Sequence, residues 1–216
     1  MISETFNMDC IKGMKQYPDK YFDLAVVDPP YGIGMDGGNI GGSVLARTKN
    51  YKPYSSGDDK SPEKEYFDEL IRVSKSQIIW GANHFISKIP FDSSCWLVWD
   101  KQNGDNNFAD CELAWTSFET AVRKFEFRWA GMLQGDMKNK EERLHPNQKP
   151  VKLYDWILKN YAKDGDKILD THLGSQSSRI ASWKAKLDFV GFETDIDYFQ
   201  QGNKRFEDFK KQLTLF

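Results

Sequence analysis

Several features are scarce in this sequence, and each scarcity excludes something. The three cysteines, Cys10, Cys95 and Cys111, lie far apart and form no CxxC pair. They give neither a disulfide framework nor a zinc site, and His84 has no metal-ligand partners at a suitable spacing. No apolar run approaches the ~20 residues of a membrane-spanning helix. The N-terminus lacks a basic-then-apolar leader, so no membrane association is expected and a reducing cytoplasm is the expected compartment. Basic charge is also not in excess: 30 Lys and Arg face 32 Asp and Glu, for a net charge of −2. Binding nucleic acid by bulk charge is thereby excluded, and any DNA contact must come from basic residues gathered on one face.

What is present suits one globular domain over residues 1–216. Hydrophobic residues make up 39% of the chain and seven tryptophans are available for a core. Leu24–Val27 is a short apolar run that ends in Asp28-Pro29-Pro30-Tyr31. The run reads as a buried strand of a parallel sheet. The prolines stop it, so the chain leaves the sheet at its carboxyl edge, where open α/β sheets bind ligands. There an acid, a proline carbonyl and an aromatic ring stand together. A planar amino group on a base can donate to Asp28 and to the Pro29 carbonyl, while Tyr31 stacks on the ring. An ordinary Asp-Pro turn beside a packed tyrosine is the bland alternative.

Asp9 precedes a short helix, with a helix cap as its simplest reading. Six glycines between Gly32 and Gly42 rule out a regular element. Residues 32–61 read as a mobile loop, whose Arg47, Lys49 and Lys52 among Tyr51 and Tyr54 suit a nucleic-acid backbone. A helix begins near Ser61-Pro62-Glu63 and runs to about Ser74. Strands follow at Gln77–Trp80 and Ser94–Trp99. Asp110–Trp115 reads as strand or short helix. The strand ends Asn83-His84 and Asp100-Lys101 are positioned to bring polar residues to the same edge as Asp28, with a local Asp100–Lys101 pair as the bland alternative. Phe125, Phe127 and Trp129 alternate with charges as in a strand with one buried face. A helix is expected over Val151–Tyr161. Then come a strand ending at Asp170, the turn Thr171-His172-Leu173-Gly174-Ser175-Gln176, a helix from Ser177 to about Lys186, and the strand Asp188–Glu193. Glu193 follows Asp170 by 23 residues, near the ~20 at which an acid grips a ribose.

Asp-Pro-Pro-Tyr, the turn His145-Pro146-Asn147-Gln148-Lys149-Pro150 and the strand–turn–helix–strand unit after it resemble, in that order, the beta class of DNA amino-methyltransferases. This is the circularly permuted branch of the N6-adenine/N4-cytosine family, and the resemblance covers nearly the whole chain. It implies a Rossmann-like class I methyltransferase fold. That fold is an α/β sheet, mostly parallel with an antiparallel edge and with helices on both faces. Little room is left for a separate target-recognition domain. S-adenosyl-L-methionine is the implied cofactor, and DNA the substrate. Asp28, Pro29, Pro30 and Tyr31 take the catalytic positions. Asp9, with Cys10 as its backbone neighbour, takes a place at the cofactor adenine, and Gln148 and Lys149 at its amino-acid end. Asp170, His172, Gly174, Ser175, Ser177 and Glu193 complete the cofactor set. The chain departs from the family's usual Gly-Ser-Gly at Gln176 and from a common Pro-Phe at Thr171-His172. Asp in first place of the motif favours adenine N6 over cytosine N4. A non-catalytic DNA- or cofactor-binding protein on the same fold is the alternative of another class. A homodimer and a cognate restriction enzyme are candidate partners.

Overall fold

The computed structural model describes residues 1–34, 60–104, 109–130, 133–144 and 147–213. The expected loop over residues 32–61 lies mostly outside these residues, as do His145 and Pro146. In chain order the strands are β1 (Ser3–Asn7), β2 (Phe22–Val27), β3 (Ser74–Trp80), β4 (Trp96–Asp100), β5 (Cys111–Thr116), β6 (Arg123–Glu126), β7 (Trp129–Ala130), β8 (Leu133–Gln134), β9 (Lys167–Asp170) and β10 (Asp188–Glu193). The α-helices are α1 (Cys10–Met14), α2 (Lys64–Val73), α3 (Val151–Tyr161), α4 (Ser177–Lys184) and α5 (Ile196–Leu213).

Eight strands form one sheet in the order β1-β10-β9-β2-β3-β5-β4-β6, and β7 and β8 pair separately. Side chains on a strand alternate between faces, and here both faces are covered. Leu24, Val26, Ile78, Ile168 and Phe189 pack on one side with Leu153 and Ile157 of α3 and Ala181 of α4. Ala25, Val27, Ile79, Leu169 and Val190 pack on the other with Met14 of α1 and Tyr66, Phe67 and Leu70 of α2. Burial on both faces is why the central strands read as continuous apolar runs instead of alternating ones.

Within the eight-stranded sheet the strand pairs are parallel except those of β5, which runs against both β3 and β4. The expected antiparallel hairpin is therefore β4–β5, with β6 added outside it and parallel to β4. Reversal of β5 has a consequence for the site. Its first residues lie at the edge where the other strands end: Cys111 sits opposite Asp100 and Glu112 opposite Trp99.

β2 proceeds through α2 to β3 on one side, while β9 proceeds through α4 to β10 on the other. The two strands are neighbours, with Leu24 opposite Ile168. Their connections diverge to opposite faces, which opens a crevice at the carboxyl ends of β2 and β9. Such a switch point is where doubly wound sheets hold ligands. Asp28 and Asp170 stand on its two sides.

Local details refine the sequence reading. Glu63, not Ser61, caps α2. The strand expected through Phe125 and Trp129 stops at Glu126, and Trp129 enters a separate hairpin with β8. Asp100 and Lys101 do not pair. Lys101 Nζ lies 2.7 Å from Glu112, and Asp100 lies 3.8 Å from Lys124. α5 was not expected. It packs through Phe206, over which the guanidinium of Arg179 lies at 3.9 Å.

Ile168 is 1% exposed in the central strand β9. Ile168→Ala should cost ~2–5 kcal/mol through lost burial and a cavity. Urea denaturation should show a lower midpoint at an unchanged slope. A loss under ~1 kcal/mol would contradict a close-packed centre at β9.

Candidate active site

Asp28 follows β2 directly, and both its oxygens are engaged. Oδ1 accepts from the Tyr31 hydroxyl at 2.8 Å, and Oδ2 lies 2.5 Å from Lys149 Nζ. Lys149 Nζ also donates to the Tyr31 hydroxyl at 3.1 Å and lies 3.0 Å from Glu112. Glu112 in turn holds Lys101 at 2.7 Å. Two carboxylates and two ammonium groups thus form one chain, Asp28–Lys149–Glu112–Lys101, whose formal charges balance. The Lys149 side chain is only 4% exposed. Its ammonium sits 5.5 Å from the Trp80 ring centre and 5.6 Å from that of Tyr31, within cation–π range.

Burial raises the proton affinity of both carboxyls, and the lysines oppose it. Glu112 meets two lysines and is pulled down to about 2 despite its burial. Asp28 meets one. Burial pushes its pKa above the ordinary value, with Lys149 pulling it back. Asp28 is therefore the carboxylate of the pair that takes a proton first.

Tyr31 is fixed by shape as well as charge. Its ring stacks on His84 with centres 5.1 Å apart and an interplanar angle of 16°. It also lies against Gly81. A Cβ there would come within 2.0 Å of the Tyr31 ring, and Gly81 has φ +69°. Glycine satisfies both demands. β3 ends at Trp80, so Gly81 turns the chain under the tyrosine and carries His84 alongside it.

The cofactor residues expected from the sequence gather along the ends of β1, β9 and β10. Asp9 caps α1 by accepting from Lys12 N at 3.0 Å. Cys10 is buried, and its thiol is pushed up to about 12, first by burial and then by Asp9. Asp170 accepts from Ser178 Oγ at 2.5 Å and from His172 N at 3.0 Å. His172 meets Thr171 Oγ1 at 2.9 Å, and Thr171 meets Tyr66 of α2 at 2.7 Å. Glu193 accepts from Gly174 N at 2.8 Å and Asp195 N at 3.0 Å. Ser175 and Ser177 lie 3.2 Å apart, and both bond Arg205 of α5, Ser175 through its carbonyl. The turn from Thr171 to Ser177 is thus held by β10, α2 and α5 together.

Gln176 adopts the left-handed conformation, φ +60° and ψ +30°, at the start of α4. A glutamine there carries backbone strain, and its side chain supplies compensation. Oε1 accepts from Arg179 Nη1 at 2.9 Å, and Nε2 donates to Asn203 at 3.2 Å. Gly202 leaves the room, since a Cβ there would lie 2.7 Å from Gln176 Cγ. Gln176 is fully buried, and its side chain turns toward α5.

Gln148 and Lys149 are neighbours in sequence that do different work. The Gln148 side chain pins its own turn, accepting from Leu144 N at 2.9 Å and donating to Glu142 O at 3.1 Å. Its carbonyl accepts from Trp129 Nε1 at 2.8 Å. Lys149 reaches Asp28 instead. Lys101 reaches the edge of Asp28 as the end of its strand suggested, but its partner Glu112 and the role of Gly81 were not foreseen. Glu112 was hidden because it stands at the start of β5, whose reversed direction is not visible in the sequence.

The mostly parallel sheet with its reversed strand β5 matches the fold of solved methyltransferase structures. PvuII DNA methyltransferase, described as cytosine-N4-specific, matches with a TM-score of 0.63 at 12% identity, covering 95% of this chain and 86% of that one. M1.HpyAVI, solved in complex with SAM, matches with a TM-score of 0.57 at 21% identity, covering 95% and 100%. The type II methyltransferase M2.MboI of Moraxella bovis is 23% identical over 93% of this chain and 86% of its own length. M2.DpnII of Streptococcus pneumoniae is 24% identical over 92% and 87%. Residues 93–204 match the DNA methylase family of N6 and N4 methyltransferases. The chain belongs to that family and is a DNA methyltransferase.

Asp170 provides a test of the cofactor end. It is 2% exposed, and burial raises its pKa from 3.8 to about 7 despite its two hydrogen-bond donors. The folded chain therefore keeps a proton that the unfolded chain releases above pH ~4. This contribution to stability is fully present below pH ~4 and is lost as pH rises through about 7. Asp170→Asn cannot titrate, so its stability relative to the parent should rise between pH 4 and 7.5. Urea unfolding across that range would contradict the assignment if the two profiles ran parallel.

Proposed function

We propose that this enzyme methylates the N6 amino group of adenine in DNA, with Asp28, Pro29 and Tyr31 at the target base. The observation that carries the reading is the Asp28 carboxylate, held at the switch point between β2 and β9 by Tyr31 and Lys149. Asp in first place of the motif supports adenine over cytosine. The extruded base would present its amino group to Asp28 and the Pro29 carbonyl. Asp28 accepts a hydrogen bond that strengthens as positive charge develops on nitrogen, and it stands ready for the proton the nitrogen must lose. Alignment of the nitrogen with the incoming methyl group is the larger contribution.

S-adenosylmethionine supplies an electrophilic methyl group on a sulfonium centre. The donor set at the ends of β1, β9 and β10 fits that cofactor. Asp9, Asp170 and Glu193 are acids suited to hydroxyl and amino groups and to a cationic ligand, and His172 is held neutral, at about 4, by burial. Glu193 accepts one backbone donor on each oxygen, and each oxygen keeps a second lone pair for the ribose. Gly174, Ser175 and Ser177 form the small-residue turn, and Cys10 and Gln148 complete the proposed cofactor set. Because the Gln176 side chain turns into the α4–α5 contact, it supplies no ground for a non-catalytic reading. Residues 1–216 act as one methyltransferase domain. A cognate restriction enzyme and a homodimer are the partners this reading suggests.

Asp28→Ala separates chemistry from cofactor binding. Lys149 keeps Glu112 as its counter-ion, so the variant should fold. Methyl transfer should nearly vanish, while affinity for S-adenosylmethionine changes by less than about tenfold, ~1.4 kcal/mol. Single-turnover assays with calorimetry read both quantities. A folded variant with near-normal turnover, or one whose sole defect is cofactor binding, would remove Asp28 from the base site.

A further inference from the structure

Lys149 does not serve Asp28 alone. Its ammonium lies 2.5 Å from Asp28 and 3.0 Å from Glu112, and Glu112 is anchored on its far side by Lys101 at 2.7 Å. Glu112 reaches this position because β5 is reversed and its second residue stands at the carboxyl edge, opposite Trp99. The Asp28, Glu112, Lys101 and Lys149 side chains are 4–22% exposed, so water screens them weakly. The ammonium thus stands at ion-pair distance from two carboxylates, Asp28 and Glu112, and donates to the Tyr31 hydroxyl.

We infer that Glu112, held by Lys101, is a positioning residue for methyl transfer: it shares the Lys149 ammonium with Asp28, so that the Asp28 anion, which Lys149 maintains, keeps acceptor capacity for the target amino group. The inference rests on the assignment of Asp28 to the base site. Without Lys149, two buried carboxylates would face each other and one would take a proton, leaving Asp28 a poorer acceptor. Without Glu112, the ammonium would commit to Asp28, and the target amino group would compete with a full ion pair. The arrangement avoids both extremes. Other groups around Asp28 do not replace it. Tyr31 donates to it, Asp170 across the crevice is a further acid, Tyr66 and Tyr154 are neutral phenols, and His84 faces Tyr31.

The test uses the full chain in three forms: parent, Glu112→Gln and the double variant Lys149→Met with Glu112→Gln. Glu112→Gln keeps the Lys149–Asp28 pair, so the fold should be retained. Two readouts are taken. One is the titration of the Asp28 carboxyl carbon by NMR, assigned by its loss in Asp28→Asn. The other is the pH profile of methyl transfer with unmethylated DNA and S-adenosylmethionine. In Glu112→Gln the Asp28 titration should move to lower pH, because a like charge is gone. Turnover should fall about tenfold with cofactor affinity unchanged, because the ammonium is committed. In the double variant both the cation and the second anion are absent. The Asp28 titration should then move above its Glu112→Gln position, and the acid limb of the pH profile should follow it. Unmoved titrations, or Glu112→Gln turnover within twofold of the parent, would overturn the inference. A parent enzyme that methylates no DNA would instead refute the functional assignment, while the carboxyl titration would still decide the ionic linkage.

Discussion

A carboxylate that must stay ionised inside a protein needs a cation beside it, and that cation must itself be accommodated. Asp28 meets the first need with Lys149, whose side chain is almost completely buried. Lys149 alone would leave the site short of one anion relative to Lys101, and Glu112 supplies it. The resulting chain of alternating charges ties together the turn after β2, the turn before α3, the start of β5 and the end of β4. Burying one charge without the others would cost several kcal/mol. The fold is thus obliged to bring four separate stretches of sequence to one point. Tyr31 is positioned by the same group, and its packing against Gly81 fixes the angle at which its ring leaves the sheet.

The sheet makes this convergence affordable. Parallel strands end at one edge, so Asp28, Trp80, Asp170 and Glu193 arrive together without long loops. The reversed strand β5 brings its beginning to that edge instead of its end. At the far side of the crevice, Glu193 and Asp170 hold the turn through backbone amides. Arg205 and Arg179 of the outer helices brace it from behind. The acids on the two sides of the crevice are therefore carried by neighbouring strands but by separate hydrogen-bond networks, which lets the two sides be perturbed apart.

Much of this was legible in the residues. β2, α3 and β10 stood out because each combines strong patterning with a clear stop, and the bounds of α3 and β10 agree with the expectation. Asp28-Pro29-Pro30-Tyr31 showed its place because prolines end a strand where ligands bind. α5 was overlooked because glutamine, lysine and acids dominate it, and Phe206 is its one buried aromatic side chain. Phe125 and Trp129 looked like one strand because alternation continues across a break that only pairing partners define. The pairing of Glu112 with Lys101 was illegible for a different reason. Their contact depends on register between β4 and β5, and one residue of slip would send each side chain to the opposite face. Gln176 at φ +60° was recognisable as strained, yet its compensation by Arg179, Asn203 and Gly202 comes from distant sequence.

The central claim is that the switch-point crevice performs amino-methylation of a DNA base. The most direct measurement incubates the enzyme with unmethylated genomic DNA and S-adenosylmethionine carrying a radiolabelled methyl group, then digests the DNA to nucleosides and separates them. The account predicts label in N6-methyladenine. Label in N4-methylcytosine would contradict the base assignment, and unlabelled DNA would contradict the account as a whole.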